Sequence, residues 1–498
     1  MMNTVNLFPT QPDLRLILPT VIGNVDYQCL RQTFERLDEL LEQSGLETQS
    51  IAQSVKRWLA ASEDPTHPPS PAEQAKYQER CRRALRCNIA RIMLQEGFRG
   101  FSERLADSPL LQWFCGADRL DVVQVPSKSE LHRFAEWWPE AEVRALVDQL
   151  LQSAALAPVP LGLADPLDLD RYFLDTTCVK ANIHYPVDWV LLRDGTRTLM
   201  KGVILIRGHG LKNRMEAPEA FLREMNRLCI QMTHTRRKPD AKKERKRVLR
   251  LMKRMVKTVQ AHAQKHRDLL DQAWDQTDWT RPQADQVIRR LDAVLALLPQ
   301  AEKQAHERII GERPVANDEK VISLYETDTN VIVRGKAGAE VEFGNTLRLG
   351  ETPQGLIVDW QLFQDSAPSD SAQLQESVER VQRTLQRKIK GVGADRGFDS
   401  AANRDWLKKK RIFNGICPRS PRDLQARLRQ RQFVAMQQRR SQTEGRIGIV
   451  KNQFLGRPLR VKGFAHREMA VAWGVLTHNL WVLARLPQAA AELLQEAA

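Results

Sequence analysis

The sequence is poor in the residues that staple small folds or cradle metals by thiolate. Its seven cysteines, at 29, 81, 87, 115, 178, 229 and 417, are odd in number, and no CxxC pair occurs. Neither a disulfide framework nor a zinc knuckle is indicated. His262 and His266 stand four apart, as metal ligands can on a helix, but their polar, basic surroundings offer no third ligand, so no zinc site is expected there. Long apolar runs are missing too. The most apolar late stretch, MAVAWGVLTHNLWVLAR, contains His478 and Asn479 and closes on Arg485. It is too short and too interrupted to span a bilayer and reads as a buried helix. The N-terminus has no basic region followed by an apolar one, so no signal peptide is expected and a cytoplasmic location is.

Acids are outnumbered. Against 76 Lys and Arg stand 61 Asp and Glu, a net charge of +15, with an isoelectric point near 9.6. Such an excess favours a polyanion partner, nucleic acid first and an anionic membrane second. Charged residues at 28% and hydrophobic ones at 42% describe a globular chain. Its 498 residues suffice for two or three domains with a sizeable core.

Helical spacing of Leu30, Phe34, Leu37, Leu40 and Leu41 predicts an N-terminal helical segment over 1–62. EDPTHPPSP, 63–71, reads as a proline-rich linker. Residues 72–160 read as a small, arginine-rich helical domain of a DNA-binding type, with Ser127 and Glu130 spaced as a capping box. RYFLDTT and VKANIHY look like short strands. A charged helical insertion follows over 213–312. Between Arg236 and Lys257 it carries twelve Lys and Arg against only Asp240 and Glu244. A solvated arm is one reading. A phosphate-contacting arm, with Arg245, Lys246 and Arg247 on DNA phosphates, is the other, because a polyanion relieves the repulsion. Charge so one-sided argues against a packed structural helix. From 320 the strands VISLYE, NVIVRG, EVEFGNTLRLGE and GLIVDWQLF are expected, the last two as a hairpin around TPQG. Alternating helices and strands then run to 486, ahead of a tail at 487–498. The order suggests a mixed α/β sheet flanked by helices.

Two aspartates follow apolar runs. Asp175 follows Tyr172-Phe173-Leu174, and Asp395 follows Val392-Gly393-Ala394. Carboxylates at adjacent strand ends face the crevice where α/β sheets bind ligands. Their mutual repulsion is relieved by a divalent cation. The plainer reading is that each aspartate caps a turn. A third acid, Glu444, sits in RRSQTEGRIGIVK among bases. On a helix over 430–453, at ~100° per residue, Arg440, Glu444 and Lys451 fall within ~40° of one another, and Arg446 lies well away from them. A carboxylate between two cations fits a metal beside a phosphate, with Arg440 and Lys451 on the phosphate oxygens. A solvated helix face has the same spacing. Gly445 and Gly448 weaken this helix, which suggests close approach of another backbone.

These motifs, FLDTT, ADRGF and R-x3-E-x6-K, resemble the bacterial insertion-sequence transposases with a DDE catalytic domain of RNase H-like fold. Gln437 stands where the family's Y-x2-R-x3-E-x6-K pattern has tyrosine. The resemblance implies an RNase H-like catalytic domain formed by 170–212 and 313–486. Asp175, Asp395 and Glu444 would be both catalytic and metal-binding, holding two Mg²⁺ or Mn²⁺. It implies cleavage at element ends, attack of the freed 3′-hydroxyl on target DNA, a homodimer on double-stranded DNA, and a nucleoid-associated protein. Two rivals remain: an RNase H-like nuclease or resolvase that cuts without joining, and a non-catalytic DNA-binding protein. Trp360, Trp406 and Trp473 are candidates for stacking on bases, with core packing the alternative.

Overall fold

The computed structural model describes residues 17–61, 69–118, 122–235, 240–336, 339–456 and 458–487. Most of the proline-rich linker (62–68), Arg236 to Pro239 and the tail from 488 onward lie outside the described residues. The chain divides into two compact units. One comprises residues 1–179, 346–363 and 367–498; the other comprises 180–345 with 364–366.

The first unit opens with helices α1 (Val25–Gln43), α2 (Leu46–Ala60), α3 (Pro71–Met93), α4 (Phe98–Asp107), α5 (Pro109–Cys115), α6 (Lys128–Ala135) and α7 (Glu140–Leu156). The single helix suggested by the leucine spacing breaks at Gly45, whose φ of 70° ends α1 and starts α2. Ser70 closes a full capping box with Glu73 at the head of α3. Ser127 forms only half of one: it accepts the Glu130 N–H at 3.2 Å, while the Glu130 carboxylate pairs with Arg80. A separate N-terminal domain is not what forms. Phe34, Leu85 and Leu150 belong to the same hydrophobic core as Tyr172, Val392 and Trp473 of the later sheet region. Trp138 meets Trp473 edge-to-face at 5.7 Å, and Arg144 lies 3.9 Å over the Trp360 ring. The reason is that a sheet face and the apolar stripes of these helices must each be covered, and they cover one another. Trp360 and Trp473 are 2% exposed and therefore core residues. Strand β1 (Arg171–Lys180) follows, one continuous strand where two were expected; the ANIHY segment after it is irregular.

The second unit is built on α8 (Asp188–Gly208), α9 (Pro218–His234), α10 (Ala241–Ala273) and α11 (Arg281–Ala305), followed by β2 (Asn330–Lys336). The insertion therefore starts near 180 rather than 213. Leu192, Leu199, Met200 and Val203 of α8 are buried in a core shared with α10 and α11, so α8 belongs with them. The one-sided charge of α10 does not prevent packing: Val248, Leu249, Met252, Val256 and Val259 are fully buried on its other face. Amphipathicity, rather than mean polarity, decides burial. His266 is another buried residue of this helix and is hydrogen-bonded through Nδ1 to the His262 carbonyl. VISLYE is not a strand, because the Gln304 side chain takes both the N–H and the carbonyl of Val321, the groups a neighbouring strand would use.

β3 (Ala339–Glu351) begins in the second unit, where it pairs antiparallel with β2. It ends in the first unit, where it forms the expected antiparallel hairpin with β4 (Ile357–Leu362). Then come α12 (Asp370–Leu385), β5 (Gly391–Ala394), α13 (Ala401–Lys410), β6 (Phe413–Ile416), α14 (Pro421–Arg427), α15 (Arg431–Ile449) with a π-helical turn at Val450–Leu455, and α16 (Phe464–Leu483). The sheet order is β2-β3-β1-β5-β6, with β4 also on β3. β1, β5 and β6 run parallel. This is the expected mixed α/β class: a largely helical N-terminal part and a mixed sheet consistent with an RNase H-like domain. The late apolar stretch forms α16, as expected, and Asn479 inside it bonds both the N–H and the carbonyl of Ile357 in β4. Among the described residues no helix is long and apolar enough to cross a membrane.

Candidate active site

The parallel pairing of β1 and β5 sets the site. Its last register pair is Leu174 with Ala394, so the next residues out, Asp175 and Asp395, are neighbours on adjacent strands. The two differ in one respect. Asp395 leaves its strand and caps the following turn, its Oδ1 accepting the Gly397 N–H at 2.8 Å. Asp175 sits inside β1, which runs on to Lys180, and accepts the Thr176 N–H at 2.7 Å. Capping and site geometry thus coexist on the same carboxylates.

Helix α15 brings the rest. Gly391, Gly393 and Gly415 let it lie close on β5 and β6: a Cβ at Gly415 would come 2.8 Å from the Met436 sulfur and 2.7 Å from the Val392 carbonyl. One stripe of α15 is an anchor. Arg439 and Thr443 bond the buried Glu351 carboxylate at 2.9 and 2.6 Å, and Arg446 donates to the Gln354 carbonyl at 2.8 Å. The adjacent stripe carries Arg440 and Glu444. Gly355, with φ of 92°, is demanded by the anchor, since a Cβ there would meet the Arg446 guanidinium. Gly445 and Gly448 have open space where a Cβ would stand, so close backbone approach is not their reason, and the structure supplies no other.

Charge ties the three acids together. Asp175 is half-buried, and its carboxyl is pushed up to about 6, first by burial and then by the charge of Asp395, with a smaller push from Glu444. The Thr176 N–H and the Arg440 guanidinium oppose the rise. Glu444 itself is exposed. The acids share a field without sharing a ligand shell: among the described residues no group of three or more His, Cys, Asp or Glu side chains is close enough to hold a metal ion. The donor set nevertheless suits a hard divalent cation, because carboxylate oxygens are its preferred ligands and their mutual repulsion is what it would relieve.

Lys451 lies in the π-helical turn and donates to Thr177 Oγ1 of β1 at 3.1 Å. The turn breaks the regular α-helical phase that its grouping with Arg440 and Glu444 assumed. Gln437 donates to the Gly415 carbonyl at 2.6 Å, and its Oε1 accepts from Arg440 at 3.2 Å. Sequence reasoning missed Asp370. Its Oδ1 accepts from Thr176 Oγ1 at 3.0 Å, and a Cβ on Gly397 would stand 2.5 Å from its Oδ2 and 3.0 Å from Asp395 Oδ1. The only available signal was an acid in the first turn of a helix following the hairpin.

The proposed DNA-phosphate residues of the second unit already have partners. Lys246 pairs with Glu312 at 2.5 Å, Arg247 with Glu244 at 2.7 Å, and Arg245 lies 5.0 Å over the Trp189 ring.

Residues 351–480 match the family described as the transposase DDE domain. The match contains Asp395, Glu444 and Lys451 but begins after Asp175, which the sheet brings back beside Asp395. No curated protein and no solved structure matches the chain.

Proposed function

From a chain that carries a transposase DDE catalytic domain in residues 351–480, we propose the finer activity: cleavage at the ends of a mobile DNA element, then attack of the freed 3′-hydroxyl on target DNA. The domain itself implies DNA binding, DNA cleavage and strand transfer. The carrying observation is the β1–β5 register, which makes Asp175 and Asp395 neighbours beneath a helix bearing Glu444. Asp175, Asp395 and Glu444 would hold Mg²⁺ or Mn²⁺ once α15 brings the exposed Glu444 to the two aspartates. When bound, two such ions supply Lewis-acid activation of the attacking oxygen and neutralise charge on the leaving one.

The chain's own groups do the rest. Asp175 and Asp395 are fixed by local N–H bonds, so their second oxygens point from a rigid floor. Exposed Glu444 supplies the adjustable third carboxylate from α15. Arg440, steered by Gln437, offers a guanidinium to a phosphate oxygen, for which its planar fork is suited. Lys451 adds a cation beside Thr177. No covalent protein–DNA link is required, since water and then a DNA hydroxyl are the nucleophiles. A homodimer that pairs two DNA ends accompanies this reading.

Element-end DNA incubated with a target plasmid, with and without Mg²⁺, tests it. Asp175→Ala, Asp395→Ala and Glu444→Ala should each abolish cleavage and leave DNA binding largely intact. Cleavage without joined product would turn the reading to a nuclease, and full activity of the Glu444 variant would remove that residue from the set.

A further inference from the structure

The solvent side of α10 carries Lys243, Arg247, Arg250, Arg254 and Lys257, all exposed and spaced alternately four and three residues apart. At 1.5 Å rise per residue this is a straight row roughly 21 Å long. The other side of the helix is the fully buried apolar face. Charges along the row are treated unequally. At its start Arg247 is neutralised by Glu244, and the flanking Lys242 and Lys246 share Glu312. Further along, to its end, Arg250, Arg254 and Lys257 make no ion pair among the described residues. They line a cleft of about 380 Å³ with Lys253, His306 and Ile310. Lys253 Nζ lies 3.2 Å from His306 Nδ1 and 3.4 Å from Glu302. Like charges at this spacing repel and weaken the helix that bears them, so folding gives no reason to gather three here.

We propose that the Arg250–Arg254–Lys257 ridge, with Lys253 and His306 in the cleft beside it, is a contact surface for the phosphate backbone of duplex DNA. The inference rests on the DNA-processing reading above and adds where this chain holds the polymer. A duplex strand offers a phosphate about every 3.4 Å of axis, so a row of this length faces several at once. Arginine forks fit phosphate oxygens. The ridge bears no aromatic side chain; single-stranded partners are gripped by stacking platforms, so a duplex backbone fits better. Backbone contacts position a polymer without reading its sequence. The surface should therefore serve element ends and random DNA alike. It is favoured over Arg245, Lys246 and Arg247 because Arg245 lies over the Trp189 ring and the other two are ion-paired within the unit.

The test is a salt titration of full-length protein on element-end and random duplexes, in EDTA, read by fluorescence anisotropy. The variant Arg250→Gln/Arg254→Gln/Lys257→Gln should lose affinity on both DNAs and flatten the log affinity–log salt slope by up to about 2.7, at roughly 0.9 per contact. The variant Arg250→Lys/Arg254→Lys, which keeps the charge, should keep most of the slope. Lys242→Gln/Lys246→Gln should change it little. A triple variant with the wild-type slope overturns the proposal. So does an equal loss in the Lys242/Lys246 control, which would mean that net charge alone matters. Binding to phosphatidylserine vesicles that is lost in the triple variant while DNA binding is kept would overturn it in favour of a membrane surface. The catalytic reading is scored separately, by Mg²⁺-dependent cleavage with wild-type protein. A protein that binds DNA through the ridge and cuts nothing would sink that reading and leave this one standing.

Discussion

Gln437 spends its amide on two tasks at once. Its nitrogen holds the Gly415 carbonyl near the end of β6, and its oxygen holds the Arg440 guanidinium, whose charge opposes the rise of the Asp175 pKa. Gln437→Ala removes both, leaving Arg440 to wander. Displacements of about 1 Å can cost up to ~10²-fold in rate. Single-turnover cleavage by the variant should slow between about 10- and 100-fold, with DNA affinity unchanged; an unaltered rate would mean that Arg440 needs no steering. Legibility at this scale was uneven. Asp175, Asp395 and Glu444 stand out in the sequence because apolar runs and flanking bases mark them. Asp370 does not: an acid starting a helix is ordinary dipole chemistry, and only the fold brings it beside Gly397 and Thr176. Gln437 looked like a departure from a pattern, and its two hydrogen bonds became visible only with β6 in place.

A buried carboxylate anchors one stripe of helix α15. Glu351, 4% exposed at the end of β3, receives Arg439 and Thr443, and the hairpin turn beyond it receives Arg446. Removing one partner of a buried pair leaves the other charged and only partly satisfied, here by the Pro353 and Thr352 carbonyls, at up to about 3–5 kcal/mol. Glu351→Ala should therefore lower stability in denaturant titration by that order, and cleavage with it; a loss below about 1 kcal/mol would mean that α15 is held by its contacts with β5 and β6. On α16, burial pushes His478 down to about 4 from its usual 6.5. The unfolded chain then takes up a proton between pH 6.5 and 4 that the folded chain refuses. Stability falls as pH drops through that window, by up to roughly 3 kcal/mol. His478→Gln should flatten the profile there, and an identical profile would reassign the acid sensitivity to other groups. The hairpin, α12, α13 and α16 were readable from alternation and helical spacing. VISLYE was not, because its backbone is satisfied by a distant side chain, Gln304, which no local pattern announces.

The molecule keeps two cores, one of the N-terminal helices with the sheet and one of the four long helices. Leu150 lies in the first and Leu249 in the second, both fully buried. Truncating a buried leucine costs about 2–5 kcal/mol. Leu150→Ala and Leu249→Ala should each lower a different calorimetric transition. A single transition lowered by both variants alike would show one cooperative block. Net charge pointed to a polyanion, but composition could not say which cations are spent internally on Glu312 and Glu244. That division depends on which side of α10 faces its own core, and the residues that decide it lie far apart in the chain.

The chain leaves the sheet after Lys180 and comes back through β2 and β3, and β3 returns to the point of departure. Lys180 pairs with Glu342 at 3.1 Å, and the Ala181 N–H bonds the Phe343 carbonyl. β1 and β3 are sheet neighbours. The excursion therefore begins and ends at neighbouring points of the chain, its two leads side by side. Sequence traded between such leads need not disturb the strands that carry Asp175 and Asp395. Evolution could lengthen, shorten or exchange the inserted segment without rebuilding those strands.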